Sequence, residues 1–240
     1  MNGVIVNIRP ENYRERFHQA FAPIGWKIVD SPVLVPESLH APLPEAQGYD
    51  AVIFTSQVAV DALRESRDWH EKIAYAVGPA TAESARRAGF SNTVQTGLDA
   101  KDLAAFIAAA RFKRAFYPSA EDVSADISLD DPLRIHRLAV YRMSPSVGLT
   151  DEFVTTVRAG RPAVVPLFSR RSAQALERLL RDAGMTAQNT QLSAVSISSD
   201  VLARDTGPWQ RRAVADKPTL EAVVTKTMAV VAIMTSEALR

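Results

Sequence analysis

The stretch AVIFTSQVAVDAL, residues 51–63, decides the architecture because the chain repeats it at 163–176 as AVVPLFSRRSAQAL. Each copy is an apolar run, a short hydroxyl-bearing turn and a helical segment, with Phe54-Thr55-Ser56 matching Leu167-Phe168-Ser169. After a comparable gap each is followed by a second strand–turn–helix: AYAVGPATAESARRAG (74–89) and SAVSISSDVLARD (193–205). Two copies of a two-part pattern predict two similar lobes with a ligand between them, and such repetition fixes architecture before any single residue does.

Outward from these copies, short apolar segments alternate with helical ones. GVIVNI (3–8) predicts a strand, and Arg9-Pro10-Glu11 predicts a helix start, since proline suits the first turn and glutamate its positive end. Residues 26–37 read as extended but interrupted by Pro32 and Pro36, and 134–143 as a second extended run closed by SPSVG. Further strands are expected at 51–55, 73–77, 92–95, 114–117, 163–168 and 192–196. Helices are expected at 57–66, 80–88, 100–111, 149–159, 171–183, 199–205 and from about 219. Alternation with short loops predicts α/β architecture, with parallel sheets covered on both faces. By symmetry, lobe 1 comprises 1–32 plus 146–240 and lobe 2 comprises 38–136. Antiparallel connectors at 30–37 and 137–146 would join them. Pro166 interrupts a run that should be a central strand, which predicts a bulge or an edge there.

Composition narrows the chemistry. The chain has 240 residues, 47% of them hydrophobic and 23% charged, enough for two cores at about 150 residues per domain. A net charge of +1 argues against nucleic acid as a partner, and the absence of cysteine excludes disulfides, thiolate metal sites and cysteine nucleophiles. No charged, apolar leader opens the chain and no apolar run reaches the roughly 20 residues of a membrane span, so a cytoplasmic location without membrane contact is expected. AVVAIMTSEAL near the C-terminus reads as a core helix. His18, His40, His70 and His136 show no metal spacing, and Asp122, Asp126, Asp130 and Asp131 match no calcium loop. Neither a phosphate loop, a GxGxxG fingerprint nor a GxSxG elbow occurs.

What remains is a set of strand-to-helix turns. A strand that stops at a small hydroxyl residue and turns into a helix exposes backbone N–H groups beside the helix dipole, which suits anions. Thr55, Ser56 and Gln57 form the first such turn. Gly78, Pro79, Ala80 and Thr81 form the second, with Gly78 admitting close backbone approach and Thr81 expected to cap its helix. Ser169, Arg170, Arg171 and Ser172 form the third, and Ser196 to Ser199 the fourth, where Ser198 and Ser199 are the hydroxyl candidates. Any one of these hydroxyls also fits an ordinary helix cap, and Arg170-Arg171 alone also fits a solvated face. Together, four turns at the carboxyl ends of parallel strands suit a ligand bearing several carboxylates or phosphates.

The quoted segments resemble the uroporphyrinogen-III synthase family. The resemblance lies in Ile8-Arg9-Pro10 after the first strand, Phe54-Thr55-Ser56 followed by Ala59-Val60, the segment Ala76 to Gly89, Val140-Tyr141-Arg142, and Phe168 to Ala173. It implies two flavodoxin-like α/β lobes joined by a two-stranded antiparallel connector. It also implies cyclisation of hydroxymethylbilane, a linear tetrapyrrole rich in carboxylates, with inversion of its last pyrrole ring and loss of water in haem biosynthesis. The implied enzyme needs no cofactor or metal, and a monomer is expected. Tyr141 matches the family's candidate for assisting departure of the terminal hydroxyl, and Arg9 joins the turn residues as a substrate-binding candidate. Two departures stand out. Ser196 replaces the glycine of the second turn motif, and Pro118 to Glu121 stand where relatives have a glycine and a basic residue. The first motivates an alternative, a non-catalytic tetrapyrrole- or carboxylate-binding member of the same fold. A third reading is an unrelated two-lobed binder of small anions.

Overall fold

The computed structural model describes residues 3–97, 100–110, 112–122, 134–203 and 206–238. Asp126, Asp130 and Asp131, together with the ends expected for helices 100–111 and 199–205, lie outside them. Along the chain run β1 (Val4–Asn7), α1 (Arg14–Phe21), β2 (Lys27–Asp30), β3 (Leu34–Ser38), β4 (Ala51–Phe54), α2 (Gln57–Ala62) and α3 (Arg67–His70). Next come β5 (Ile73–Ala76), α4 (Gly78–Arg87), β6 (Thr93–Gln95), α5 (Ala100–Ala109), β7 (Ala115–Ala120) and β8 (Ile135–Pro145). The chain continues with α6 (Asp151–Arg158), β9 (Ala163–Leu167), α7 (Arg170–Asp182), β10 (Leu192–Ser196), α8 (Ser199–Leu202), β11 (Trp209–Val214) and α9 (Leu220–Ala238). Two compact units divide it: Met1–Val35 with Pro145–Arg240, and Pro36–Ser144.

In the first unit a parallel sheet has the order β11-β10-β9-β1-β2. The chain moves outward from β1 to β2 on one side and from β9 through β10 to β11 on the other. The order therefore reverses between β1 and β9. Aromatic and aliphatic side chains of α1 (Phe17, Phe21) and α9 (Val223, Val230, Val231, Met234) pack on Ile5, Val164 and Val195. Burying such side chains contributes about 1.5–3 kcal/mol each.

In the second unit the order is β3-β8-β7-β4-β5-β6. Strands β4 to β8 pair in parallel, with the reversal between β4 and β7. Strand β3 runs against β8: Ser146 N–H donates to Val33 O at 2.9 Å and Leu39 N–H to Val140 O at 3.0 Å. The period of two in AVIF divides the two faces. Val52 and Phe54 join Val60, Leu63 and Ala85 on the side of α2 and α4, whereas Ala51 and Ile53 join Leu103 and Ile107 of α5 on the other.

Four sequence expectations are corrected. Arg9-Pro10-Glu11 opens a 3-10 turn (Glu11–Tyr13), and the α-helix begins only at Arg14. The helix expected at 57–66 ends at Ala62 and a separate short helix starts at Arg67. Strand β11 was not expected at all; its segment WQRRAV keeps one wet face at the sheet edge, so no apolar run marks it. Pro166 is neither bulge nor edge, because β9 lies between β10 and β1 in unbroken register with β10. Leu167 O faces β10, accepting from Ile197 N at 2.9 Å. In a parallel strand alternate residues face opposite neighbours, so Pro166 faces β1. Pairing with β1 stops at Ile5↔Val164, just before the missing N–H would be needed. Strand β7 repeats this device. Arg114 O accepts from Asp50 N, so Pro118 faces β4, and that ladder stops at Val52↔Phe116.

Candidate functional site

Each reversal of strand order carries a predicted turn, and such reversals are where open α/β sheets bind ligands. In the second unit β4 is followed by Thr55 and Ser56, whose hydroxyls meet tyrosines belonging to the clusters on opposite faces of the sheet. Ser56 caps α2 in extended conformation (φ −153°, ψ 155°), accepting Ala59 N–H at 3.1 Å. The other contact of its hydroxyl is the Tyr141 phenol oxygen, 3.0 Å away on β8. Tyr141 is 9% exposed, its ring packed in the apolar cluster beneath α2 and α4. Thr55 Oγ1 lies 3.3 Å from the Tyr117 hydroxyl, which burial pushes above the ordinary phenol pKa. Tyr117 was missed by sequence reasoning, since a tyrosine inside AFYPSA reads simply as core.

The second predicted turn is partly closed to ligands. Gly78 adopts φ +74°, as expected of a glycine chosen for its backbone. However, its N–H donates to Gly97 O at 2.9 Å, Val77 N–H donates to Phe54 O, and Pro79 has none to offer. Thr81 does not cap: α4 begins at Gly78 after Val77, and Thr81 is a buried residue of its first turn. Proline with its fixed φ starts the helix earlier than the threonine would. Gln57 Nε2 donates to Ala80 O at 3.2 Å, which draws the mouths of α2 and α4 together. Where relatives were expected to have a basic residue near Pro118 to Glu121, Arg137 of β8 supplies a guanidinium. It donates to Ser119 Oγ, Ala120 O and Glu121 O at 2.8–2.9 Å.

In the first unit the reversal brings Arg9, after β1, to the turn after β9. The Arg9 guanidinium stacks between the rings of Tyr13, at 3.9 Å, and Phe168, at 4.6 Å, and burial lowers its pKa. Asn7 holds the backbone there: its Oδ1 accepts Arg9 N–H at 3.1 Å and its Nδ2 donates to Asp30 Oδ1 at 2.7 Å. Asp30 also meets Arg14 Nε and His18 Nε2. Asn7 is buried, and a buried amide needs partners, a signal that its place at a strand end could have given.

Ser169 caps α7 by accepting Ser172 N–H at 3.1 Å and donates to Ser172 Oγ at 2.9 Å. Arg170 pairs with Asp200 of α8, linking the third turn to the fourth and compensating one of the two expected cations. Arg171 is exposed beside it. Ser198 precedes α8 without a side-chain cap bond, Ser199 is the first helical residue, and Ser196 Oγ donates to Ser198 O at 2.9 Å. Among the described residues no cluster of three metal-ligating side chains forms, and no helix is long and apolar enough to cross a membrane.

Comparison with known proteins adds a family. The profile described as uroporphyrinogen-III synthase HemD matches residues 15–225. Uroporphyrinogen-III synthetase of Helicobacter pylori superposes with a TM-score of 0.58 at 19% identity, over 96% of this chain and 100% of that one, which is a likeness of fold. Uroporphyrinogen III synthase of Thermus thermophilus gives a TM-score of 0.41 at 16% identity, over 97% and 99% of the two chains. No curated protein matches.

Proposed function

Because this chain belongs to the uroporphyrinogen-III synthase family, we propose that its Thr55-Ser56 turn and Tyr141 carry the acid step of that family's reaction. The enzyme is a cyclising lyase of haem biosynthesis: it closes hydroxymethylbilane to uroporphyrinogen III, inverting the terminal pyrrole ring and releasing water. The observation that supports the site is the hydrogen bond between the Ser56 hydroxyl of the capped turn and the Tyr141 phenol.

The mechanism needs no covalent enzyme intermediate. The pyrrole nitrogen expels the terminal hydroxyl when that oxygen receives a proton as it leaves, and Tyr141 is the donor. General acid catalysis of this kind contributes about 10²–10⁴-fold. The rest is geometry, holding a flexible chain so that the substituted carbon of the last ring attacks first. Holding reacting ends together lowers the barrier by several kcal/mol. In the first unit Arg9, Ser169, Arg171 and Ser172 are the carboxylate-binding residues of this reading. In the second unit they are Thr55 and Gln57, with the Gly78–Thr81 turn offering fewer donors because the Gly78 N–H is taken by Gly97 O. Arg170 contributes less charge, being paired with Asp200. The protein works in the cytoplasm as a monomer.

The test is an isomer-resolved product assay on freshly prepared hydroxymethylbilane. Type III product is expected; type I alone, the product of unassisted closure, sinks the proposal.

A further inference from the structure

Two serines open equivalent helices with the same backbone: Ser56 at φ −153°, ψ 155° and Ser169 at φ −152°, ψ 150°. Each accepts the N–H three residues on, from Ala59 and Ser172, at 3.1 Å. They differ in where the hydroxyl hydrogen goes. Ser169 donates to Ser172 Oγ at 2.9 Å, on its own helix. At the matching position the second unit has Ala59, which offers no oxygen. Among the described residues the remaining hydrogen-bonding neighbour of the Ser56 hydroxyl is Tyr141 Oη at 3.0 Å. A serine hydroxyl has one hydrogen and two lone pairs, so Ser56, which accepts one bond from the backbone, can either donate to the phenol oxygen or accept from it. A phenol that gives its hydrogen to a leaving group must be met at its oxygen by a donor. The arrangement that serves the acid step is then the chain Ala59 N–H to Ser56 Oγ, Ser56 O–H to Tyr141 Oη.

We infer that Ser56 is a positioning residue for the acid step, donating to Tyr141 Oη so that the phenolic hydrogen is turned away from Ser56 and offered to the departing hydroxyl, while Ser169, its counterpart, keeps its hydrogen on its own helix. This rests on Tyr141 being the acid. As the phenolic hydrogen passes to the leaving oxygen, the carbon–oxygen bond breaks with its electron pair on oxygen and water departs. The pyrrole nitrogen supplies the electrons that the carbon loses, and the phenolic oxygen is left negative. Ring closure later releases a proton from the attacked pyrrole carbon, which restores the phenol, so nothing is oxidised or reduced. The Ser56 hydrogen bond thus changes from neutral to charge-assisted during the step, and a bond that strengthens in the transition state accelerates it. Consecutive hydrogen bonds that polarise one another reinforce the effect.

The experiment compares steady-state kinetics on hydroxymethylbilane for the full chain and for S56A, S56T, S56D, Y141F and S56A/Y141F, with denaturation of each. S56A is expected to lower kcat about tenfold, the order of one charge-assisted bond partly formed, with KM little changed. S56T keeps both the cap and the donor and restores the rate. S56D keeps the cap, since aspartate is a good N-cap residue, but has no hydrogen to donate; its stability holds while kcat falls. The double variant is expected to be no slower than Y141F alone. S56D at the wild-type rate would reduce Ser56 to a cap, and a further tenfold loss when S56A is added to Y141F would separate it from the tyrosine. Either result overturns the inference. Y141F at the wild-type rate removes the acid assignment itself, a failure recognisable whatever Ser56 does.

Discussion

The Thr55 hydroxyl and the Tyr117 phenol lie 3.3 Å apart at the reversal between β4 and β7. Beyond the Val52↔Phe116 pair the ladder between these strands stops, and Pro118 is the next β7 residue facing β4. The hydroxyl pair joins the two strand ends where backbone bonds do not. Tyr117 is 1% exposed and its raised pKa keeps it protonated at neutral pH. Tyr117→Phe should therefore destabilise the protein by about 1 kcal/mol, the usual net value of one such bond. Urea denaturation checks this, and an unchanged midpoint would mean the bond adds nothing.

Tyr141→Phe should slow turnover by about 10²–10⁴-fold while leaving the fold intact. The ring, which supplies the apolar packing, is retained. Circular dichroism together with isomer-resolved rates makes the measurement, and unaltered kinetics would take Tyr141 out of the mechanism.

Arg9→Ala should raise KM roughly tenfold with kcat nearly constant, the pattern of lost uniform binding. Arg9→Lys should recover only part of it, because a lysine keeps the charge but not the planar stack between Tyr13 and Phe168. A KM that ignores both substitutions would show that no carboxylate meets this guanidinium.

Gly78→Ala forces a side chain onto φ +74°. A cost of about 1–2 kcal/mol is expected for a left-handed alanine. Thermal unfolding reads it directly; equal melting temperatures for the variant and the parent would contradict the backbone geometry.

Glu37 on β3 is held down to a pKa of about 2, first by the hydrogen bond from Arg142 and then by that from Ser144. A depressed carboxyl pKa stabilises the fold above the unfolded value of 4.5, and that stabilisation disappears as pH falls toward 2. Arg142→Ala should thus lower the melting temperature slightly at neutral pH, with the difference from wild type vanishing in acid. Both side chains are about half exposed, which keeps the effect small. A difference that persists at pH 2 would assign it to packing instead.

Much of the fold is legible because AVIF and AVVPL are continuous apolar runs closed by serine, a pattern that a buried parallel strand and an N-cap produce together. The same logic fails at WQRRAV, where an edge strand needs only one buried face. It fails for Thr81 because Pro79 starts the helix first, and for Pro166 because a proline in a parallel strand breaks pairing on one side only. Ser56 and Ser169 could be recognised as helix openers. That Ser56 meets Tyr141 could not, since 85 positions separate them and their meeting depends on β8 lying two strands from β4. Tyr117 was invisible for a related reason, its function being carried by one oxygen at the end of an otherwise core ring.

The division of the chain at Val35/Pro36 and Ser144/Pro145 has a consequence for synthesis on the ribosome. The inserted unit emerges whole before β9 exists, whereas β1 and β2 must wait, as exposed hydrophobic segments, for a neighbour made far later. Chains generally consolidate what is already complete, so residues 36–144 should acquire amide protection first. The nascent N-terminal strands are then where a molecular chaperone has most to shield, and pulse-labelled hydrogen exchange during refolding would reveal the same order.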